Sequence, residues 1–342
     1  MTALILAPFA ERYLRRLRRR VDVVYRPWTE TRRLHSPEEL IEALQWTAAS
    51  ILVVEADFVF EEVFEAAPGL RFVGVCRQAF NQVDVETASQ RGVLVMHAPG
   101  RNAAAVAEMT IALMLALARH LLPAHQMVKG GLWRDPVEAY LSFQGRELGG
   151  SVVGVVGAGH VGAEVVRRCA ALGARVLAYD PFVPESRLRA LGARAASLAE
   201  LMRRSDFVTL HAALTESSER LIGADMLALM KPGAYLVNTA AAGLVDGQAL
   251  LRCLEERRIA GAAFDVFEGQ PLPASSPYLK LENVILTPHI GGATAETVER
   301  HSRMIVEDIE RFLDGRRPRR LVNPEAPSPE ANPPRAEARH DR

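Results

Sequence analysis

At 342 residues the chain is too long for one ordinary hydrophobic core, so two domains are expected. Hydrophobic residues make up 49% of it, and 41 Lys and Arg balance 41 Asp and Glu, which excludes the basic footprint of a nucleic-acid binder and leaves no field for an acidic membrane surface. Cys76, Cys169 and Cys253 stand apart without C-x-x-C spacing, so neither a disulfide framework nor a metal site is implied, and a reducing cytoplasm fits.

In chain order, an apolar segment precedes the basic run 15–20, the reverse of a secretory signal. Leu14 and Leu17 keep helical spacing through that run, so its arginines read as the solvated face of a first helix. Short β-rich runs at 3–6, 21–25, 51–54, 71–75 and 93–96 alternate with helical patterns and predict a small parallel α/β domain. From Asn102, a plausible cap, an alanine- and leucine-rich helix is expected down to 117. It is apolar on nearly every face, which predicts burial all round. It is also short of about 20 residues and carries Glu108, so it is not read as a membrane span.

Residues 151–181 form the most informative stretch: an apolar strand 152–156, the turn Gly157-Ala158-Gly159-His160-Val161-Gly162, a helix 163–172, a second strand 175–179 and the acid Asp180. Gly157 permits the tight turn, Gly159 lets backbone approach a pyrophosphate, and Gly162 lets the helix lie close on the strand. The helix N-terminus then favours the negative charge. Asp180 can accept from a ribose hydroxyl but repels a 2'-phosphate, and Pro181-Phe182 bring no cation, so NAD is favoured over NADP. Further strands are expected at 207–210, 234–237, 259–264 and 284–286. A helix from about 294 to 313, with Val298, Ile305, Ile309 and Phe312 on one stripe, is expected to cross back onto the first domain. The expected division is therefore 1–100 plus 293–315 as a discontinuous substrate domain, 101–292 as the NAD domain, and 316–342 as a disordered Pro- and Arg-rich tail.

Five ordered motifs then converge. The glycine turn with Asp180, the segment Met230 to Thr239, Gly243-Leu244-Val245-Asp246, Gly261 to Phe267 with its Asp265, and Thr287-Pro288-His289-Ile290-Gly291-Gly292 together resemble the D-isomer-specific 2-hydroxyacid dehydrogenases, which include phosphoglycerate and glyoxylate/hydroxypyruvate reductase types. The resemblance implies two Rossmann-like or flavodoxin-like α/β domains with parallel sheets and a cleft between them, NAD as cofactor, and a homodimer joined through the nucleotide domains. It implies His289 as the catalytic acid/base. It sets Gly157, Gly159, His160, Val161, Gly162, Asp180, His211, Thr239, Ala240, Asp265, His289, Gly291 and Gly292 around the cofactor, and the loop Arg77-Gln78-Ala79-Phe80-Asn81 on the substrate side.

The substrate half departs from the family. Where the family carries an arginine that binds the substrate carboxylate, this chain has Ala241, and where it carries the glutamate that supports the histidine, it has Gln270. An Arg fork gives two charge-assisted hydrogen bonds that alanine cannot replace. Ala79 stands where relatives have a glycine whose neighbouring amides cradle the carboxylate, and Arg77 is the nearest replacement cation. The sequence therefore predicts an NAD-dependent oxidoreductase with an atypical active site, acting on an unusual hydroxy or keto substrate, with Arg77, Asn81 or His97 orienting it. Two alternatives stay open: a catalytically impaired NAD(H)-binding protein, and a redox-neutral catalyst with tightly held NAD. Isolated histidines such as His35, His125 and His340 read as surface groups.

Overall fold

The computed structural model describes residues 1–326, in two compact units: Met1–Arg101 with the residues from Thr294 onward, and Asn102–Ala293. In the first unit, Val-, Ile- and Leu-rich runs form strands β1 (Thr2–Ile5), β2 (Asp22–Tyr25), β3 (Ile51–Val54), β4 (Phe72–Val75) and β5 (Leu94–Met96). They pair in parallel in the order β2-β1-β3-β4-β5, with Ala3 opposite Ile51 and Ile51 opposite Phe72. Alternation along β1 and β3 divides two buried layers, Ile5, Ile51 and Val53 on one face and Leu4, Leu52 and Val54 on the other. That two-sided burial is why these strands read as continuous apolar runs.

Helix Ala295–Leu313 belongs to this unit, and its Ile305, Val306 and Ile309 are fully buried in the Ile5 layer. Thr294 starts it by accepting from the Thr297 N–H at 3.1 Å. The arginine run lies on helix Glu11–Arg18 and just past it, where Arg16 and Arg20 pair with Glu310 and Asp314 while Leu14 and Leu17 point inward.

The second unit holds strands β6 (Val152–Val156), β7 (Arg175–Tyr179), β8 (Ala193–Ala195), β9 (Phe207–Leu210), β10 (Tyr235–Asn238), β11 (Gly261–Phe264) and β12 (Val284–Leu286). All are parallel, in the order β12-β11-β10-β9-β6-β7-β8. The order reverses at the β9/β6 boundary, and the glycine turn after β6 lies at this reversal, where open α/β sheets form a ligand crevice.

Four expectations are corrected. Asn102 precedes helix Ala103–Ala118 but makes no side-chain cap; its backbone O takes the Val106 N–H instead. That helix is not buried all round, because Glu108, Ala112 and Leu115, one turn apart, form an exposed stripe. Among the described residues no single helix is long and apolar enough to cross a membrane.

The third correction concerns 316–326, expected to be disordered. This stretch packs on the first unit: Arg320 pairs with the fully buried Asp308 at 2.6 Å, Leu321 bridges Met96, and the buried Asn323 serves β5. Its polar composition concealed this, because the anchors are hydrogen bonds rather than apolar periodicity. The rest of the expected tail, including His340, lies outside the described residues. Finally, His35 is not a plain surface group, since its Nδ1 bonds the buried Asp57 at 3.0 Å.

Candidate active site

The cofactor cradle is built by β6 and helix His160–Ala171. Gly157 has φ +89°, and a Cβ there would stand 2.5 Å from the Ala212 N, so only glycine fits. At Gly162 a Cβ would collide with the Gly157 carbonyl, which sets how closely the helix lies on the strand. Gly159, His160 and Val161 open the helix without any side-chain cap, and nothing stands within 4 Å of a Cβ position at Gly159. Free N–H groups above an open surface are what a pyrophosphate requires.

Asp180, at the end of β7, takes the Ala158 N–H at 2.7 Å on one oxygen and the Phe182 N–H at 2.9 Å on the other, which fixes its carboxylate beside the turn. Each oxygen keeps a lone pair for a ribose hydroxyl. His211, after β9, bonds the Thr209 hydroxyl through Nε2, while its buried Nδ1 has no partner. Burial pushes its pKa down to about 3, so the ring is neutral. An orphaned buried nitrogen and an open glycine surface fit a bound dinucleotide, with Gly157 to Gly162, Asp180 and His211 as the residues that would hold it.

After β10, the Asn238 amide accepts from the Ala240 N–H at 3.0 Å and donates to the Ala241 carbonyl at 2.8 Å, locking the turn that carries Thr239, Ala240 and Ala241. The Thr239 hydroxyl bonds Thr110 of helix Ala103–Ala118 at 2.9 Å. Asn238 and Thr110 were absent from the sequence-derived set. Asn238 had a signal in its Asn-Thr-Ala setting, whereas Thr110, inside an apolar helix, had none.

Asp265 is 1% exposed and directs its carboxylate to the histidine loop. It accepts from the Thr287 hydroxyl at 2.6 Å and from the Ile290 and Gly291 N–H groups at 2.9 and 2.7 Å. Three of its acceptor positions are spent on holding the loop. Gly291 must be glycine here, since a Cβ would press on Asp265; Gly292 packs on Asn102.

The loop presents His289 at φ +55°, exposed, with Nδ1 at 2.7 Å from Gln270 Oε1. The Gln270 Nε2 donates to the Phe267 carbonyl at 3.3 Å, so the amide oxygen is the end that faces the histidine. His289 therefore carries its neutral-state proton on Nδ1 and keeps Nε2 as the atom that accepts or gives a proton. Glu268 makes no such contact; it lines a separate hollow with Arg220 and Tyr278. Ala241 brings no charge to this unit's site.

On the first unit, the loop after β4 carries Arg77 to Asn81. Arg77 is half-buried and forms no ion pair among the described residues. Gln78 is committed: its carbonyl meets His97 Nδ1 at 2.8 Å, and its Oε1 accepts from the Gly100 N–H at 3.2 Å. Phe80, 36% exposed, meets the His97 ring edge-on, and Ala79 and Asn81 are exposed. Gln82, which sequence reasoning left out, is buried and donates to the Glu55 carbonyl at 3.0 Å, tying this loop to β3.

The chain is similar to known proteins over most of its length. The family model of the D-isomer specific 2-hydroxyacid dehydrogenase NAD-binding domain matches residues 111–291. A chain named as a 2-hydroxyacid dehydrogenase, YoaD, of Bacillus subtilis is 38% identical over 91% of this chain and 91% of its own length. The D-3-phosphoglycerate dehydrogenase of Methanocaldococcus jannaschii is 38% identical over 84% of this chain, which spans 53% of it. The D-lactate dehydrogenase of Aquifex aeolicus, solved with NAD and lactic acid, superposes with a TM-score of 0.73 at 27% identity, over 92% of this chain and 96% of that one. NAD is the cofactor that the cradle and these likenesses specify. The chain belongs to the D-isomer specific 2-hydroxyacid dehydrogenase family.

Proposed function

We propose that this protein is an NAD-dependent oxidoreductase that interconverts a hydroxy and a keto compound, with His289 as acid/base and an active site that grips acids less firmly than its relatives do. The observation that carries the proposal is the fixed His289–Gln270 pair, which leaves Nε2 free to exchange a proton with the substrate oxygen. NAD, when bound, supplies the acceptor or donor of the hydride. His289 gives a proton to the carbonyl oxygen during reduction and takes one from the hydroxyl during oxidation.

We assign substrate contacts to Arg77, Gln78, Ala79, Phe80 and Asn81; Arg77, lacking a carboxylate partner, is the cation left for an acidic substrate. The test is NADH oxidation over a panel of 2-oxo acids, aldehydes and ketones. Turnover by at least one of them, lost in His289→Asn, is expected. NADH binding without oxidation of any compound would sink the proposal in favour of an NAD(H)-binding protein without turnover. That second reading is supported by Ala241, since no guanidinium replaces the family arginine in its own segment.

We further infer a homodimer through the nucleotide unit. Between 119 and 147, helices Leu121–Lys129 and Pro136–Ser142 hold no buried residue, and together with the segment that joins them they expose Leu121, Leu132, Trp133, Val137, Tyr140 and Leu141. An exposed apolar surface of this kind suits a partner chain. Three buried free cysteines support a reducing, cytoplasmic setting.

A further inference from the structure

The loops after β4 and β5 leave the first sheet side by side, because the two strands are parallel neighbours. They are laced together. The Ala98 N–H donates to the Arg77 carbonyl at 2.8 Å, and the Gly100 N–H donates to Gln78 Oε1 at 3.2 Å. Beside these ties stands His97, the first residue past β5, with its ring edge-on to Phe80 at a centroid distance of 5.6 Å. Its backbone N–H donates to the Arg320 carbonyl at 3.2 Å, so the 316–326 segment holds it as well.

The lacing decides the chemistry of the ring. Nδ1 of His97 lies 2.8 Å from the Gln78 carbonyl, and a carbonyl only accepts, so Nδ1 carries the proton. In the neutral ring the lone pair is then on Nε2, the same tautomer that Gln270 imposes on His289. Nε2 has no hydrogen-bond partner among the described residues, and unlike Nδ1 of His211 it is not sealed from solvent. An asparagine could tie the two loops equally well through its amide N–H. What the imidazole adds is a rigid acceptor on the opposite side of the ring.

We propose that His97 is a specificity-determining residue: its Nε2 accepts a hydrogen bond from a hydroxyl that the substrate carries in addition to the reacting one, while Arg77 pairs with the substrate carboxylate. The proposal rests on the reading of 77–81 as substrate contacts. Arg77 can only donate and the neutral Nε2 can only accept, so together they suit a hydroxy acid with a further hydroxyl on its side chain. A side chain that cannot donate would leave Nε2 unpaired once it is covered, and that loss is the basis of the discrimination.

The test reads binding without turnover, as the change in NADH fluorescence when a hydroxy acid is added to the complex of the full-length protein with NADH. D-glycerate and D-lactate differ by one side-chain hydroxyl, and D-glycerate is expected to bind at least about ten-fold tighter. His97→Asn keeps a donor for the Gln78 carbonyl but places no atom where Nε2 was. In that variant D-glycerate should weaken to the level of D-lactate, while the affinities for D-lactate and NADH stay unchanged; a loop that had merely loosened would weaken both acids alike. The proposal is overturned if the parent binds the two acids equally, prefers D-lactate or binds neither, or if His97→Asn keeps the preference or weakens both acids together. The comparison in the parent stands without any variant. A protein that separates the two acids but oxidises no NADH with any 2-oxo acid refutes the oxidoreductase reading alone, and one that turns over 2-oxo acids without separating them refutes the role of His97 alone.

Discussion

In the proposed reaction, Ala241 and Gln270 set how much chemistry His289 performs. A guanidinium at 241 would supply a fixed donor pair to a developing oxyanion, a kind of group whose loss costs roughly a hundred- to a thousand-fold in rate. Ala241→Arg is therefore expected to raise kcat/KM for simple 2-oxo acids by about that factor. Gln270→Glu should act differently, because a carboxylate against Nδ1 favours the imidazolium. The pH limb governed by His289 should move to higher pH, with little change in NADH affinity, as steady-state rates from pH 5 to 9 would reveal. An unmoved profile would mean that the contact with residue 270 does not govern the proton. His289 and its partner were legible because motif spacing survives in sequence. Asn238 and Thr110 were harder to see, because a residue that locks a turn or bonds across from an apolar helix carries no periodic signature.

One carboxylate makes three of the hydrogen bonds that hold the loop 287–292. With its three acceptances from Thr287, Ile290 and Gly291, Asp265 turns the end of β11 into the anchor of the histidine. Asp265→Asn presents an amide NH2 to at least one of those donors, leaving buried groups unpaired at about 1–3 kcal/mol each. A lower urea midpoint together with a fall in kcat of at least ten-fold is expected; an unchanged kcat would mean that the loop keeps its shape without the charge. Strands that are buried on both faces, such as β3, β6 and β9, match the sequence-derived bounds because short, uncharged runs rich in Val, Ile and Leu mark them. Strand β8 escaped notice because three residues with Arg194 at the centre make no run. The helices between 121 and 142 escaped because their apolar residues face outward, reversing the usual rule.

At the scale of the molecule, buried histidines contribute to the loss of stability in acid. His301 is fully buried, with Nδ1 accepting from Arg101 at 2.8 Å and Nε2 facing the Pro8 carbonyl at 2.7 Å. Desolvation, helped by the Arg101 charge, lowers its pKa from 6.5 to about 4. The unfolded chain thus binds this proton at a higher pH than the folded one, so the contribution to stability is complete above about 6.5 and is lost as the pH falls toward 4. His211 adds a change of the same sign. Urea unfolding between pH 7.5 and 4.5 should show stability falling by a few kcal/mol, and His301→Gln should flatten part of that slope; an identical slope in the variant would remove His301 from the account.

The C-terminal strap has one more consequence. Strand β5 is the last of its sheet, and an uncovered strand end-on to solvent is a template on which foreign chains add and fibrils begin. Here the Val322 N–H bonds the Val95 carbonyl at 2.8 Å, the His97 N–H bonds the Arg320 carbonyl at 3.2 Å, and Asn323 occupies the Val95 N–H at 2.9 Å. Eleven residues that read like dispensable trailing polymer, 316–326, therefore serve as a selvedge, and trimming the gene where its apolar rhythm stops would leave the cloth free to fray.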